Sequence, residues 1–76
     1  MLTWDEKVKQ NRIYEVLRYV ETLDENNPCD IYSTSELTLK EATTLYNALY
    51  LQDGIVCVKL VKEGWDEDEV LRMKEV

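Results

Sequence analysis

The sequence has no histidine and no phenylalanine, and its 76 residues include only two glycines, one proline and two cysteines. Without histidine the chain lacks the side chain that most often serves as a metal ligand or as a general base near neutral pH. Scarce Gly and Pro, beside 45% hydrophobic and 33% charged residues, exclude a disordered tail, a collagen-like repeat and a low-complexity linker. Cys29 and Cys57 are too few for the disulfide-dense frameworks of small secreted domains, and they show no C-x-x-C spacing. Each reads as a small buried hydrophobe in a reduced, cytoplasmic protein, with a single bridge between them left open at this point.

Basic residues are the other shortage: nine Lys and Arg stand against 16 Asp and Glu, for a formal net charge of -7. Nucleic-acid affinity rests on clustered cations that neutralise phosphates, so no direct binding of nucleic acid is expected, and an anionic membrane surface repels such a chain. No apolar run approaches the length of a membrane span, and Met1-Leu2-Thr3-Trp4-Asp5-Glu6 has neither the basic nor the apolar segment of a secretory signal. A charge of this size is also an ordinary means of keeping a small domain soluble, so it restricts partners more firmly than it names one.

What is present suffices for one small core in a single domain spanning residues 1–76. Three pairs, Thr3 with Glu6, Thr38 with Glu41 and Asp66 with Glu69, have the spacing by which a cap and a Glu satisfy the unpaired amides of a helix start. The first helix is expected from Trp4 to Leu23 or Asp24, ahead of Asn26-Asn27-Pro28, with Ile13, Val16, Leu17, Val20 and Leu23 on one arc. Trp4 and Val8 lie off that arc, so this helix has two apolar faces or changes role near Asn11.

Asp30 to Leu37 reads as a polar strand suited to a sheet edge, with Ile31, Ser33, Ser35 and Leu37 on one face. Leu39, Ala42, Leu45, Tyr46 and Leu49 recur at helical spacing and predict a second helix to about Gln52. Asp53-Gly54 then ends that helix or, on a rival reading, turns a hairpin joining residues 49–52 to 55–58. Ile55 to Val61 is the clearest strand, apolar on both faces apart from Lys59. A third helix is expected from Asp66, with Trp65 and Val70 spaced as a hydrophobic staple and Asp68 placed to pair with Arg72. The expected fold is therefore an α+β domain of three helices packed on a two- or three-stranded sheet, in the order helix, strand, helix, strand, helix. A middle helix that joins the strands as a crossover makes them parallel.

The carboxylates fall into two blocks. Glu21, Asp24, Glu25, Asp30 and Glu36 are interrupted by no Lys or Arg, while Glu63, Asp66, Glu67, Asp68 and Glu69 precede Arg72. In the second block a helix cap and dipole already explain the charge, whereas the loop position of the first has no such local explanation. Displayed together, these groups imitate a nucleic-acid backbone and suit a basic groove on another protein. Asp24 to Asp30 offers oxygen ligands but lacks the glycine of a calcium loop and has Ser35 where that loop needs Glu, so no metal and no cofactor are expected. Ser33 and Ser35 have no histidine to activate them, and a chain this short has little room for an enclosing pocket.

Aromatics are supplied by five Tyr and two Trp. Tyr46 fits the core stripe of the second helix and Tyr32 and Tyr50 suit its border, but Trp4 and Val8 need a partner outside their own stripe. The expected function is a non-enzymatic protein-binding domain, an inhibitor of the kind that phages and mobile elements use. Glu21, Asp24, Glu25, Asp30, Glu36, Asp66, Glu67 and Asp68, with Trp4 and Val8, occupy the nucleic-acid-binding groove of another protein. The alternative is a self-assembling subunit, a homodimer formed by a sheet edge or by Val56, Val58 and Leu60.

Overall fold

Thr3 opens a helix as its spacing predicts: its hydroxyl accepts from the Glu6 amide at 3.3 Å, and the Glu6 carboxylate accepts from the Thr3 amide at 3.4 Å. The helix stops early because Asn11 enters the left-handed region (φ 56°, ψ 34°), which Asn tolerates better than most residues with a side chain. The computed structural model describes residues 1–49 and 51–75, and in it helix α1 covers only Trp4–Gln10. The chain continues as β1 (Tyr14–Glu21), β2 (Cys29–Leu37), α2 (Leu39–Leu49), β3 (Ile55–Lys62) and β4 (Glu69–Glu75). The strands form one sheet in the order β2-β1-β3-β4, with every neighbouring pair antiparallel.

This overturns the expected arrangement. Among the described residues the α+β domain has two helices and four strands, in place of three helices on a two- or three-stranded sheet in the order helix, strand, helix, strand, helix. The first helix does not run on to Leu23, because residues 14–21 also alternate. Tyr14 and Val16 turn to one face and Leu17 and Tyr19 to the other, and pairing on both sides of β1 decides for the strand. The third helix is absent as well. Asp66 to Asp68 lie in the turn between β3 and β4, where Asp68 accepts from the Gly64 amide at 3.2 Å in place of pairing with Arg72. Gly64 is required there, since a Cβ on it would sit 2.1 Å from the Glu67 carbonyl oxygen. A surface strand at this position gains a ladder of several backbone bonds from β3, which together outweigh the roughly 0.5–2 kcal/mol that a helix cap supplies.

The second capping pair holds. The Glu41 carboxylate accepts from the Thr38 amide at 3.0 Å and the Thr38 hydroxyl from the Glu41 amide at 3.2 Å, so α2 begins at Leu39. It continues through Leu49, and Leu51 to Gly54 form a turn into β3, which removes the hairpin reading. Since α2 links β2 to β3, those two strands do run in the same direction, but β1 lies between them and no parallel pair forms. The edge position expected for β2 is correct, while its face assignment fails at one point. Glu36 takes φ 60° where the pairing slips, so Leu37 falls opposite Tyr14 and packs on the core, whereas Ile31 stays opposite Tyr19 on the other face.

The core forms where α2 lies on the central strands. Ala42, Tyr46 and Leu49 pack with Tyr14, Val16, Ile55, Val58 and Leu60, and Ile13, Val20, Leu37 and Leu45 border them. Each such fully buried aliphatic side chain contributes roughly 1.5–3 kcal/mol. Leu60 is 1% exposed and Leu71, in β4, is 38% exposed. Leu60→Ala is therefore expected to lower the unfolding free energy by about 2–5 kcal/mol and Leu71→Ala by less than about 1 kcal/mol in urea titrations. Comparable losses would instead put β4 against a core of its own.

Candidate functional site

The turn from β1 to β2 is built by its own polar side chains. Asp24 accepts from the Asn26 amide at 2.9 Å, the Thr22 amide donates to the Pro28 carbonyl at 2.9 Å, and the Asn27 side chain donates to Asp30 at 3.1 Å. The Glu21 amide donates to the Gly54 carbonyl at 2.9 Å and so draws the α2–β3 turn, with Asp53, to the same end. Glu75, opposite Cys57 in the ladder, closes β4 there too. The end thus gathers Glu21, Asp24, Glu25, Asp30, Asp53 and Glu75, and no Lys or Arg occurs between Arg18 and Lys40.

Glu36 does not belong to this group. It ends β2 at the opposite end of the sheet, where its carboxylate accepts from the Leu2 amide at 2.9 Å and its carbonyl from Arg12 at 3.2 Å. That end is where α1 lies. Trp4 meets Trp65 with ring centroids 6.1 Å apart and planes tilted by 54°, and Lys7 pairs with Glu63 at 3.1 Å. Asp66, Glu67 and Asp68 are exposed beside Trp65, itself 77% exposed, and Val8 is exposed on α1. The structure therefore joins Trp4 to Asp66, Glu67 and Asp68, and sets them an eight-residue strand, about 26 Å, from Glu21, Asp24, Glu25 and Asp30. Apart from Glu36, the first block therefore lies at the opposite end from the second in a body measuring 41 × 24 × 20 Å.

Two contacts were not foreseen in the sequence. Arg18 lies over the Tyr32 ring at 5.0 Å, so that this border tyrosine carries a cation on its face. Lys59 lies 5.0 Å from the Tyr19 ring centroid and donates to the Tyr19 hydroxyl at 3.1 Å, and this hydrogen bond holds its amine above the ordinary lysine value. The burial expected of both cysteines is found at Cys57, whereas Cys29 is only half-buried, and the second apolar face expected of Ile55 to Val61 is borne out, since Cys57 and Val61 are buried on the face of the sheet opposite the α2 core. Burial pushes the Cys57 thiol up, and Cys29 and Cys57 are free thiols on β2 and β3 with β1 between them. Of the residues proposed for self-assembly, Val58 and Leu60 are under α2 and Val56 is exposed. Tyr50 lies outside the described residues.

Among the described residues no helix is long and apolar enough to cross a membrane, and no three acidic or thiol side chains converge as metal ligands would. No protein-family model matches the chain, and neither a curated protein nor a solved structure matches it.

Glu41 joins the start of α2 to Arg12 at 2.7 Å and has its carboxyl held below the usual 4.5, first by the Thr38 amide, then by the Thr38 hydroxyl and the Arg12 charge. A carboxyl acidified by folding favours the folded state above pH 4.5, and that contribution is lost as the pH falls through its folded value. Glu41→Gln retains an oxygen for the Thr38 amide but not the charge facing Arg12. Its melting temperature is expected below that of the parent at neutral pH, with the gap closing as the pH falls below 4.5. A gap unchanged down to about pH 2.5 would show that the charge of Glu41 is not the source of the benefit.

Proposed function

We propose that the chain is a non-enzymatic binding domain that acts by occupying a basic, nucleic-acid-binding surface of another protein. The observation that supports this reading is the acidic hairpin end. Glu21, Asp24, Glu25 and Asp30 come from one tight turn, and Asp53 and Glu75 are brought beside them by separate elements. Such a concentration of like charge opposes folding and has no cation of its own turn to offset it, which fits a group kept for an oppositely charged partner. Asp66, Glu67 and Asp68 form a second acidic group that follows Trp65, which meets Trp4. The separation of the two ends matches the span of about eight base pairs of duplex, so a basic groove shaped for a double helix can engage both at once. The tryptophan pair supplies apolar area for affinity, while the carboxylates supply orientation and association rate.

The test is a pull-down with tagged protein from host-cell lysate, eluted in salt steps and repeated with competing duplex DNA. A nucleic-acid-binding protein is expected to leave at moderate salt and to be displaced by the duplex. The variant combining Glu21→Gln, Asp24→Asn, Glu25→Gln and Asp30→Asn is expected to recover at least about tenfold less of it, since screened surface charge dominates such contacts. Equal recovery by the variant, or capture indifferent to DNA, overturns the reading.

A further inference from the structure

Asp53 is the only Asp or Asn in the chain that precedes a glycine. The amide nitrogen that follows an aspartate can close a five-membered ring on the side-chain carboxyl, and a glycine, with no Cβ, crowds that approach least. The fold leaves this pair open. Both residues are exposed in the turn from α2 to β3, and a Cβ on Gly54, where φ is 84°, would meet nothing within 4 Å beyond its chain neighbours. Among the described residues neither the Asp53 carboxylate nor the Gly54 amide has a hydrogen-bond partner, whereas the Gly54 carbonyl accepts from the Glu21 amide at 2.9 Å. Elsewhere the same route is closed. The Asp24, Asp30 and Asp68 carboxylates already accept from the Asn26 amide, the Asn27 side chain and the Gly64 amide. The amides that follow Asp5, Asn11 and Asn26 donate to the Thr3 hydroxyl, the Lys7 carbonyl and the Asp24 carbonyl. Asn27 precedes Pro28, which has no amide proton, Asn47 lies inside α2, and Asp66 precedes Glu67, whose side chain crowds the nitrogen.

We propose that Asp53-Gly54 is a modification site at which the chain converts spontaneously to isoaspartate. The Gly54 nitrogen attacks Cγ of Asp53. The N–Cγ bond forms, a C–O bond of the carboxyl breaks, and its hydroxyl leaves with the amide proton as water. Solvent water then reopens the succinimide at either carbonyl. Addition at Cγ restores Asp53, while addition at the main-chain carbonyl carbon breaks its bond to the Gly54 nitrogen. In that product the chain runs through Cβ and Cγ, and the α-carboxylate is free. No electrons are transferred and the net charge is unchanged. The backbone is now longer by one carbon just ahead of the carbonyl that holds the Glu21 amide, and Ile55 follows at once, opposite Val20 where the pairing of β1 with β3 slips. The added atom breaks that hydrogen bond and frees the turn from the hairpin end. This chemistry does not depend on what the acidic ends bind.

The test is to hold the full chain at physiological pH and temperature for several weeks. Isoaspartate is then assayed with an isoaspartyl carboxyl methyltransferase, which moves a labelled methyl from the sulfonium of S-adenosylmethionine to the free α-carboxylate, and its position is read by electron-transfer fragmentation. It is expected at residue 53 ahead of every other Asp and Asn, with a transient form lighter by one water at the same residue. Asp53→Asn, whose side chain releases ammonia in place of water, is expected to accumulate isoaspartate several-fold faster. Asp53→Glu, which would need a six-membered ring, is expected to form none at this position. In the modified fraction the Glu21 amide hydrogen is expected to exchange faster than in fresh protein. Isoaspartate that forms at residue 53 in guanidinium but not in the folded chain overturns the inference, because the turn then holds the carboxyl away from the nitrogen. So does isoaspartate absent from both or spread evenly over the aspartates, and a Glu21 amide equally protected in the modified fraction overturns the release of the turn.

Discussion

Val16 of β1 lies opposite Leu60 of β3, and α2 lays Ala42, Tyr46 and Leu49 into the same cluster over that seam. Every other element is arranged about this pairing. β2 and β4 are hairpin partners of the two central strands and lie at the edges, and α1 reaches only the ends of β2 and β3 and their loops. In a chain of 76 residues a single buried seam of this kind supplies most of the apolar burial available, so the seam sets the stability of the whole. Surface carboxylates can then be gathered at the ends at a tolerable cost, since the charge lies beyond the last core residues.

The same seam determines what is left for partners. By committing Val58 and Leu60 inward it directs Cys57, Lys59 and Val61 outward, and the ladder extends this alternation to Tyr19, Ile31 and Met73. The apolar face and the acidic ends are therefore separate surfaces, one in the middle of the sheet and the others at its two extremities.

Much of this was legible along the chain where the signal is local. Thr3 with Glu6 and Thr38 with Glu41 mark true helix starts, Ile55 to Val61 is a strand, and the acidic turn before Pro28 lies where a loop was expected. The failures share one physical cause. Ile13, Val16, Leu17 and Val20 fit a helical arc and a strand alternation alike, and the decision comes from pairing with residues as far away as Leu60. Asp66 and Glu69 have the spacing of a cap, but β3 offers their segment a ladder that local spacing does not reveal. The left-handed Glu36, which moves Leu37 to the core side, carries no mark in its residue type. The second apolar face was legible only at Ile55 to Val61, because β1 and β4, which flank that strand, were assigned by periodicity to helices.

Trp4 and Trp65 face each other across the junction of α1 with the β3–β4 turn, and they are the only two tryptophans in the chain. Indole fluorescence of this protein is accordingly a local gauge. Excited at the red edge of the indole band, it reports whether α1 is docked and says little of the seam under α2, whose aromatic members are Tyr14 and Tyr46. A fluorescence change that precedes the loss of circular dichroism on heating marks the release of α1 from an otherwise intact sheet, and the two signals followed together resolve the periphery of the molecule from its centre.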